Sequence, residues 1–217
     1  MRAVLTLGLA ACLATPAAAQ WLGEPMWTPK SGTGFTIYGD YGRPSTDAGK
    51  GNAFGGRVAL GLSTVTLTAG IASWKPETFN SRITSYGGTA SFRLIGGSLI
   101  PVGVNLQVGA AHSAQVTSGT QTFPAQTTVN GAVALSVPIP TPGISIEPYF
   151  SPGVRYHHFS NAVPDHDTNF GWVVGGNLGF GLVGIHLAYD SEKFSNGTTH
   201  GVFGVGANVG LRLPMGL

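Results

Sequence analysis

Hydrophobic residues recur at every second position along most of the chain. Residues 201–213, GVFGVGANVGLRL, show this clearly, because apolar side chains alternate there with glycines, Asn208 and Arg212. A repeat of two residues is typical of a β-strand with one apolar and one polar face. The repeat predicts an all-β protein of ten strands, at 35–41, 54–62, 65–71, 86–94, 102–108, 129–137, 144–156, 170–178, 183–189 and 203–213.

The connections between these predicted strands alternate between short and long. The short ones are rich in glycine, proline and serine, which is typical of hairpin turns, and lie at 62–64, 96–98, 138–143 and 179–181. The long ones are more polar and lie at 43–51, 75–84, 112–126, 157–168 and 190–200. This alternation predicts an up-and-down antiparallel barrel with every long loop at one end. A count of eight strands is the alternative.

The polar face of the predicted strands carries small, hydroxyl and amide side chains and contains no lysine. Only 9% of all residues are charged, whereas about 25% are charged in ordinary soluble domains. A soluble secreted β-barrel, which is one alternative, would turn this face to water almost without charge. The pattern favours a transmembrane β-barrel instead, with the apolar face in lipid and the polar face in a lumen.

Aromatic side chains cluster at the long-loop ends of the predicted strands. Aromatic rings collect where the hydrocarbon of a membrane meets the lipid headgroups. We therefore expect a belt of membrane-interface aromatics formed by Tyr41, Phe54, Trp74, Tyr86, Tyr156, Phe170, Trp172, Tyr189 and Phe203.

The N-terminus has the features of a secretory signal peptide. Arg2 is followed by an apolar run and by the small residues AAA at 17–19, which predicts a signal peptide at 1–19 with cleavage near Ala19 or Gln20. Residues 20–32 then form an N-terminal segment that lies either in the periplasm or in the lumen, and residues 33–217 form the barrel domain. Cys12 is the only cysteine, so the mature chain has no disulfide.

Several ionisable residues fall on the predicted inner face. Because unpaired charges are costly in a lumen of low dielectric, acids and bases there are expected to pair and to make the lumen rigid. An arginine-rich constriction that favours anions in a narrow pore is the alternative. The expected lumen charge network consists of Asp40, Arg57, Arg93, Glu147, Arg155, His186, Asp190 and Arg212.

The sequence offers little support for other chemistry. Asp165, His166 and Asp167 are the nearest approach to a set of catalytic or metal-binding groups, and no motif fixes their spacing to other residues. Without Arg2, ten basic residues remain against nine acidic ones, which gives no indication of nucleic-acid binding. We predict no enzyme activity, no metal, no cofactor and no nucleic-acid partner.

The signal peptide, the alternating segments, the alternation of loops with turns and the alternating last strand resemble the small bacterial outer-membrane β-barrel proteins, the opacity-protein, OmpA and OmpW-like group. The resemblance covers residues 33–213. It implies a location in the bacterial outer membrane, with membrane lipid and the barrel-assembly machinery as partners. The chain departs from the group at residues 213–217, LPMGL, where such proteins usually end on an aromatic residue.

The resemblance says less about function. It implies a structural or surface role, with a narrow passive channel for small solutes as one form of it. The alternative is an adhesin, or a protein that binds a surface ligand through its long loops.

Overall fold

The computed structural model describes residues 21–28, 33–97 and 100–211. Within them, ten long strands form the barrel: β1 (Gly34–Pro44), β2 (Asn52–Leu62), β3 (Val65–Lys75), β4 (Ile83–Gly97), β5 (Ile100–Ser113), β6 (Gln126–Ser136), β7 (Ile144–Phe159), β8 (His166–Phe180), β9 (Val183–Lys193) and β10 (Thr199–Leu211). No described helix is long and apolar enough to cross a membrane.

Each strand pairs antiparallel with the next one along the chain, and β10 pairs with β1. The last pairing runs from Phe35 opposite Leu211 to Pro44 opposite Val202. It closes the sheet, so the barrel has no unpaired strand edge. The predicted up-and-down antiparallel barrel of ten strands is therefore confirmed, and the alternative of eight strands is wrong.

The strands extend further toward the long loops than the alternation of residues predicts. The strand predicted to end at Tyr189 continues to Lys193, and the strand predicted to end at Tyr156 continues to Phe159. The loop between β5 and β6 contains a small hairpin of Val116–Ser118 and Gln121–Phe123. A further short strand, Ile139–Thr141, pairs with the start of β7.

The outside of the barrel is apolar. Large hydrophobic side chains are exposed on every strand, among them Ile37, Val58, Ile71, Phe92, Val108, Val133, Val154, Val174, Leu187 and Val209. The inward side chains are small or polar, such as Ala59, Thr68, Asn130 and Asn177, and they are buried. This orientation suits lipid outside and a polar lumen inside, and it is the opposite of a soluble barrel with an apolar interior.

Eight of the nine expected interface aromatics lie on the outer face, where they are exposed or, for Tyr41 and Trp172, half-buried. The expectation for Trp74 is wrong, because its side chain is only 2% exposed and points into the barrel. Ile71 is exposed on the outside of β3, so strict alternation directs Trp74 to the inner face. There its indole N–H donates to the carbonyl of Lys50, 2.9 Å away.

We expect the outer face to reject charge. Leu187, in the middle of β9, is exposed on the outside, so Leu187→Arg should lower the free energy of unfolding in phospholipid vesicles by about 2–4 kcal/mol. The matched control Leu187→Met keeps an apolar side chain and should cost less than about 1.5 kcal/mol. Equal losses in the two variants would contradict contact of this face with lipid.

Candidate functional site

The N-terminal residues 21–28 lie inside the barrel and are all buried. We call them the plug segment. Trp21 donates its indole N–H to the Gly70 carbonyl of β3 at 3.1 Å, and the Leu22 amide donates to Ser85 Oγ of β4 at 3.0 Å. On other strands, Gln107 of β5 donates to the Trp27 carbonyl at 3.0 Å, and the Met26 amide donates to Asp190 of β9 at 2.8 Å. The plug segment therefore spans the lumen.

Glycines on the inner wall make room for the plug segment. A Cβ atom at Gly204 of β10 would lie 2.5 Å from Pro25 Cγ, and one at Gly70 would lie 3.1 Å from the Trp21 ring. Any larger residue at Gly204 would thus collide with the plug segment. The small inward residues of this barrel leave space for a specific occupant rather than only narrowing the lumen.

A first ion cluster joins β1, β2 and β9 near the middle of the lumen. Arg57 Nε lies 2.6 Å from Asp40 Oδ2, and His186 Nε2 lies 2.6 Å from Asp40 Oδ1. The Arg57 guanidinium also lies over two rings, 4.2 Å from the centre of Tyr38 and 5.0 Å from that of Trp27 in the plug segment. We call Asp40, Arg57 and His186 the central ion cluster.

A second cluster lies closer to the long loops. Arg155 bridges two carboxylates, with 2.7 Å to Asp190 and 3.0 Å to Glu192. Glu192 is also 2.7 Å from His157 Nε2 and accepts a 2.9 Å hydrogen bond from the Asn169 amide. These groups, the outer ion cluster, are buried. Because they are paired, they can remain charged in a lumen without bulk water.

Aromatic rings cover the outer ion cluster on the loop side. The His157 ring stacks on Phe159 at 6.2 Å and on Phe194 at 5.8 Å between ring centres. Phe194 in turn contacts His200 at 4.1 Å. These packed side chains narrow the loop end of the lumen.

The described residues do not fill the turn end of the lumen. A cavity of about 420 Å³ lies there, and we call it the vestibule. Its polar lining includes Thr36, Tyr38, Thr66, Asn177 and Asn208. In the part of the chain that the structure describes, the lumen thus consists of the vestibule at the turn end and, on its loop side, the plug segment packed against the two ion clusters.

Five of the eight residues of the expected charge network lie in the two ion clusters. Asp40, Arg57 and His186 meet in the central ion cluster, and Arg155 and Asp190 meet in the outer one. Near the turn end, Glu147 accepts a 3.0 Å hydrogen bond from Ser136 Oγ, and Arg93 is half-buried on β4. Arg212 lies outside the described residues.

Sequence reasoning missed Glu192 and His157. Both lie on the inner face because they continue the alternation of Asp190 and Arg155, so longer strands would have predicted them. The described inner wall carries three arginines, Arg57, Arg93 and Arg155, and four acids, Asp40, Glu147, Asp190 and Glu192. The arginine excess of the anion-selective alternative is therefore absent from the described wall.

Glu24 of the plug segment is an unusual buried acid. It is 1% exposed, and neither carboxylate oxygen has a hydrogen-bond partner of ordinary geometry among the described residues. Burial, together with the negative charge of Asp40, raises the pKa of Glu24 to about 8, although the positive charge of Arg57 and an interaction with the Trp27 side chain oppose this shift. Glu24 is therefore mostly protonated at neutral pH while the plug segment is docked.

No group of three or more histidine, cysteine, aspartate or glutamate side chains among the described residues is arranged to hold a metal ion. The adjacent His157 and His158 lie on opposite faces of β7, the first buried and the second exposed.

No family model matches the chain, and no curated protein matches it in sequence. Among solved structures, the N-terminal β-barrel domain of Pseudomonas aeruginosa OprF is 10% identical with a TM-score of 0.44, and the β-domain of the Bordetella autotransporter BrkA is 11% identical with a TM-score of 0.46. Each alignment covers 84% of this chain and 100% of the other.

The attachment invasion locus protein Ail of Yersinia pestis, in complex with the heparin analogue sucrose octasulfate, is 10% identical with a TM-score of 0.35. That alignment covers 83% of this chain and 100% of Ail. These likenesses concern the fold alone.

We expect Arg155 to be essential for the stability of the outer ion cluster. Arg155→Met leaves Asp190 and Glu192 buried without their common cation, which should cost about 3–5 kcal/mol of unfolding free energy. The control Lys50→Gln breaks the 3.0 Å ion pair with Glu77 at the surface and should cost less than about 1 kcal/mol. Denaturant unfolding in vesicles measures both, and similar small losses would show that the outer ion cluster does not stabilise the barrel.

Docking of the plug segment should weaken as the pH rises. Below the ordinary pKa of 4.5 both docked and undocked Glu24 are protonated, and between 4.5 and about 8 only the undocked form releases its proton. Over this range the equilibrium constant for docking should fall by up to about tenfold per pH unit, and above pH 8 it should fall no further.

Thiol labelling measures this effect. Met26 is 1% exposed, so a Met26→Cys thiol should react only after undocking. The double variant Met26→Cys/Glu24→Gln carries the same thiol but no ionisable group at position 24. The labelling rate of Met26→Cys divided by that of the double variant should increase from pH 6 to 8, and the ionisation of the thiol itself cancels in this ratio. A constant ratio would show that Glu24 ionisation does not control docking.

Proposed function

We propose that this protein is a bacterial outer-membrane β-barrel whose lumen is closed at rest by its own plug segment. When the plug segment leaves, the lumen becomes a narrow passage for small polar solutes. The observation that carries this proposal is the burial of residues 21–28 across the lumen, with hydrogen bonds to β3, β4, β5 and β9.

The contacts of the plug segment support a docked rather than a permanent element. Apart from the chain that continues from it into β1, it is held by noncovalent contacts, and it carries a buried acid, Glu24, whose ionisation opposes docking. Below it lies the vestibule, whose lining among the described residues contains the polar side chains of Thr36, Tyr38, Thr66, Asn177 and Asn208 beside apolar ones. Removal of the plug segment would take two tryptophans, Trp21 and Trp27, out of the lumen while the paired wall charges remain.

The position of Trp21 also supports removal of the signal peptide. Trp21 is 2% exposed and packs inside the barrel. A leader of nineteen residues joined to it through Gln20 would have to share the lumen, cross the packed loop end or fill the vestibule. Cleavage near Ala19 or Gln20 would avoid this conflict. Insertion by the barrel-assembly machinery follows from the resemblance to outer-membrane proteins and stays a prediction.

Binding through the long loops is the second candidate function. The loop between β5 and β6 is held in place, because Phe123 of its hairpin contacts Trp74 at 6.0 Å and Phe79 at 6.5 Å between ring centres. An anchored hairpin presents its polar tip, Ser118 to Gln121, in a fixed position above the barrel. A surface ligand would find a preformed contact there.

Planar-bilayer conductance tests the proposed function. The chain that begins at Gln20 should be silent or open only briefly, whereas the same chain without residues 21–28 should conduct in discrete steps, because the loop-side half of its lumen is no longer filled. A peptide with the plug sequence WLGEPMWT should suppress this current when added on the turn side, and a scrambled peptide of the same composition should not.

Two outcomes would contradict the proposal. If the complete chain conducts as well as the deleted one, residues 21–28 do not close the lumen. If the deleted chain folds, as shown by its heat-modifiable migration in electrophoresis, but remains silent, the barrel is not a passage and the loop-binding role is favoured.

A further inference from the structure

Three basic side chains project from the outer surface at the loop end of the barrel. They are Arg43 at the end of β1, Arg82 in the loop before β4, and Lys193 at the end of β9, and all three are exposed. We call them the basic arc.

Each member of the basic arc lies beside an exposed phenylalanine of the membrane-interface belt. Arg43 is opposite Phe203 in the β1–β10 pairing, and Lys193 is opposite Phe170 in the β8–β9 pairing. The Arg82 guanidinium carbon lies 5.6 Å from the centre of the Phe54 ring. Because β8, β9, β10, β1, β2 and β3 are consecutive in the barrel, phenylalanines and cations alternate along one continuous side of it.

The charges of the basic arc are not neutralised by the protein. Arg43 and Lys193 form no ion pair or side-chain hydrogen bond with a described residue, and Arg82 uses one Nη1 donor on the Ser73 carbonyl at 3.1 Å. The neighbouring lysines differ in this respect. Lys50 is paired with Glu77 at 3.0 Å, and Lys75 donates to the Asn80 carbonyl.

The other side of the barrel has a different character. On β4 to β8, the described residues with outward side chains include no lysine or arginine. Interface tyrosines there have histidine neighbours instead: Tyr86 contacts His112 at 5.7 Å, and Tyr156 stacks on His166 at 6.2 Å between ring centres. His166 is itself 2.7 Å from Asp165. Among the described residues, the outward lysines and arginines of the interface therefore lie on one side of the barrel.

We infer that the basic arc binds the phosphate groups of anionic lipids in the leaflet on the loop side of the membrane. This inference depends on the membrane location in the proposed function, but not on the plug segment. A phenylalanine at the edge of the hydrocarbon fixes the depth of the cation beside it at the level of the lipid phosphates. Arginine and lysine at that depth provide charge-assisted hydrogen bonds to phosphate oxygens.

Native mass spectrometry of the folded barrel in detergent, titrated with phosphatidic acid or with phosphatidylcholine, tests this inference. The complete chain should bind phosphatidic acid in preference to phosphatidylcholine. Arg43→Gln/Lys193→Gln should lower the affinity for phosphatidic acid on the order of thirtyfold, which is roughly fivefold for each charge removed.

The matched control is Lys50→Gln/Lys75→Gln, which also removes two positive charges from the loop end but only from lysines that already have partners. It should change the affinity by less than about twofold. Heat-modifiable migration establishes that each variant is folded before it is titrated.

Three results would overturn the inference: equal binding of the two lipids, equal losses in the two double variants, or displacement of phosphatidic acid by soluble inositol hexakisphosphate at equal concentration. The last result would assign the basic arc to soluble polyanions. None of them bears on conductance, because the basic arc lies outside the lumen. Failure of this inference and failure of the proposed function are therefore distinguishable.

Discussion

Every peptide group of a strand that crosses hydrocarbon needs a hydrogen-bond partner within the sheet. In hydrocarbon no water is available to pair with peptide N–H and C=O groups, so a sheet that crosses it has to be closed. The pairing of β1 with β10 provides this closure. Closure fixes one face of every strand outward and the other inward, and a strict alternation of apolar and polar residues along the chain follows.

The lumen holds charges that compensate each other and the plug segment, and these two features are coupled. Asp190 accepts the Met26 amide of the plug segment while it pairs with Arg155. Trp27 contacts both the His186 ring, at 4.7 Å, and the Arg57 guanidinium. Each ion cluster therefore contacts the plug segment, and departure of the plug segment would alter the surroundings of both clusters. A narrow passage would then be lined by paired charges of both signs.

Much of this fold is predictable from the sequence, because lipid enforces a repeat of two residues over whole strands. The inward positions of Asp40, Arg57 and Arg155 follow from that repeat alone. Strand ends are less predictable, because beyond the membrane the outer face is no longer required to be apolar. The sequence pattern therefore does not indicate Glu192, and it places Trp74 on the wrong face. The plug segment lies in no strand, and its place in the lumen depends on contacts that no periodicity encodes.

Tryptophan fluorescence can locate the plug segment, because the protein has four tryptophans and their positions differ. Trp172 lies on the lipid-facing surface, Trp21 and Trp27 lie in the plug segment, and Trp74 points inward. Variants that retain one tryptophan each can be reconstituted with lipids brominated along their acyl chains, which quench fluorescence on contact. We expect strong quenching of Trp172 and little quenching of the other three. Quenching of Trp21 and Trp27 as strong as that of Trp172 would contradict a lumen closed by the plug segment.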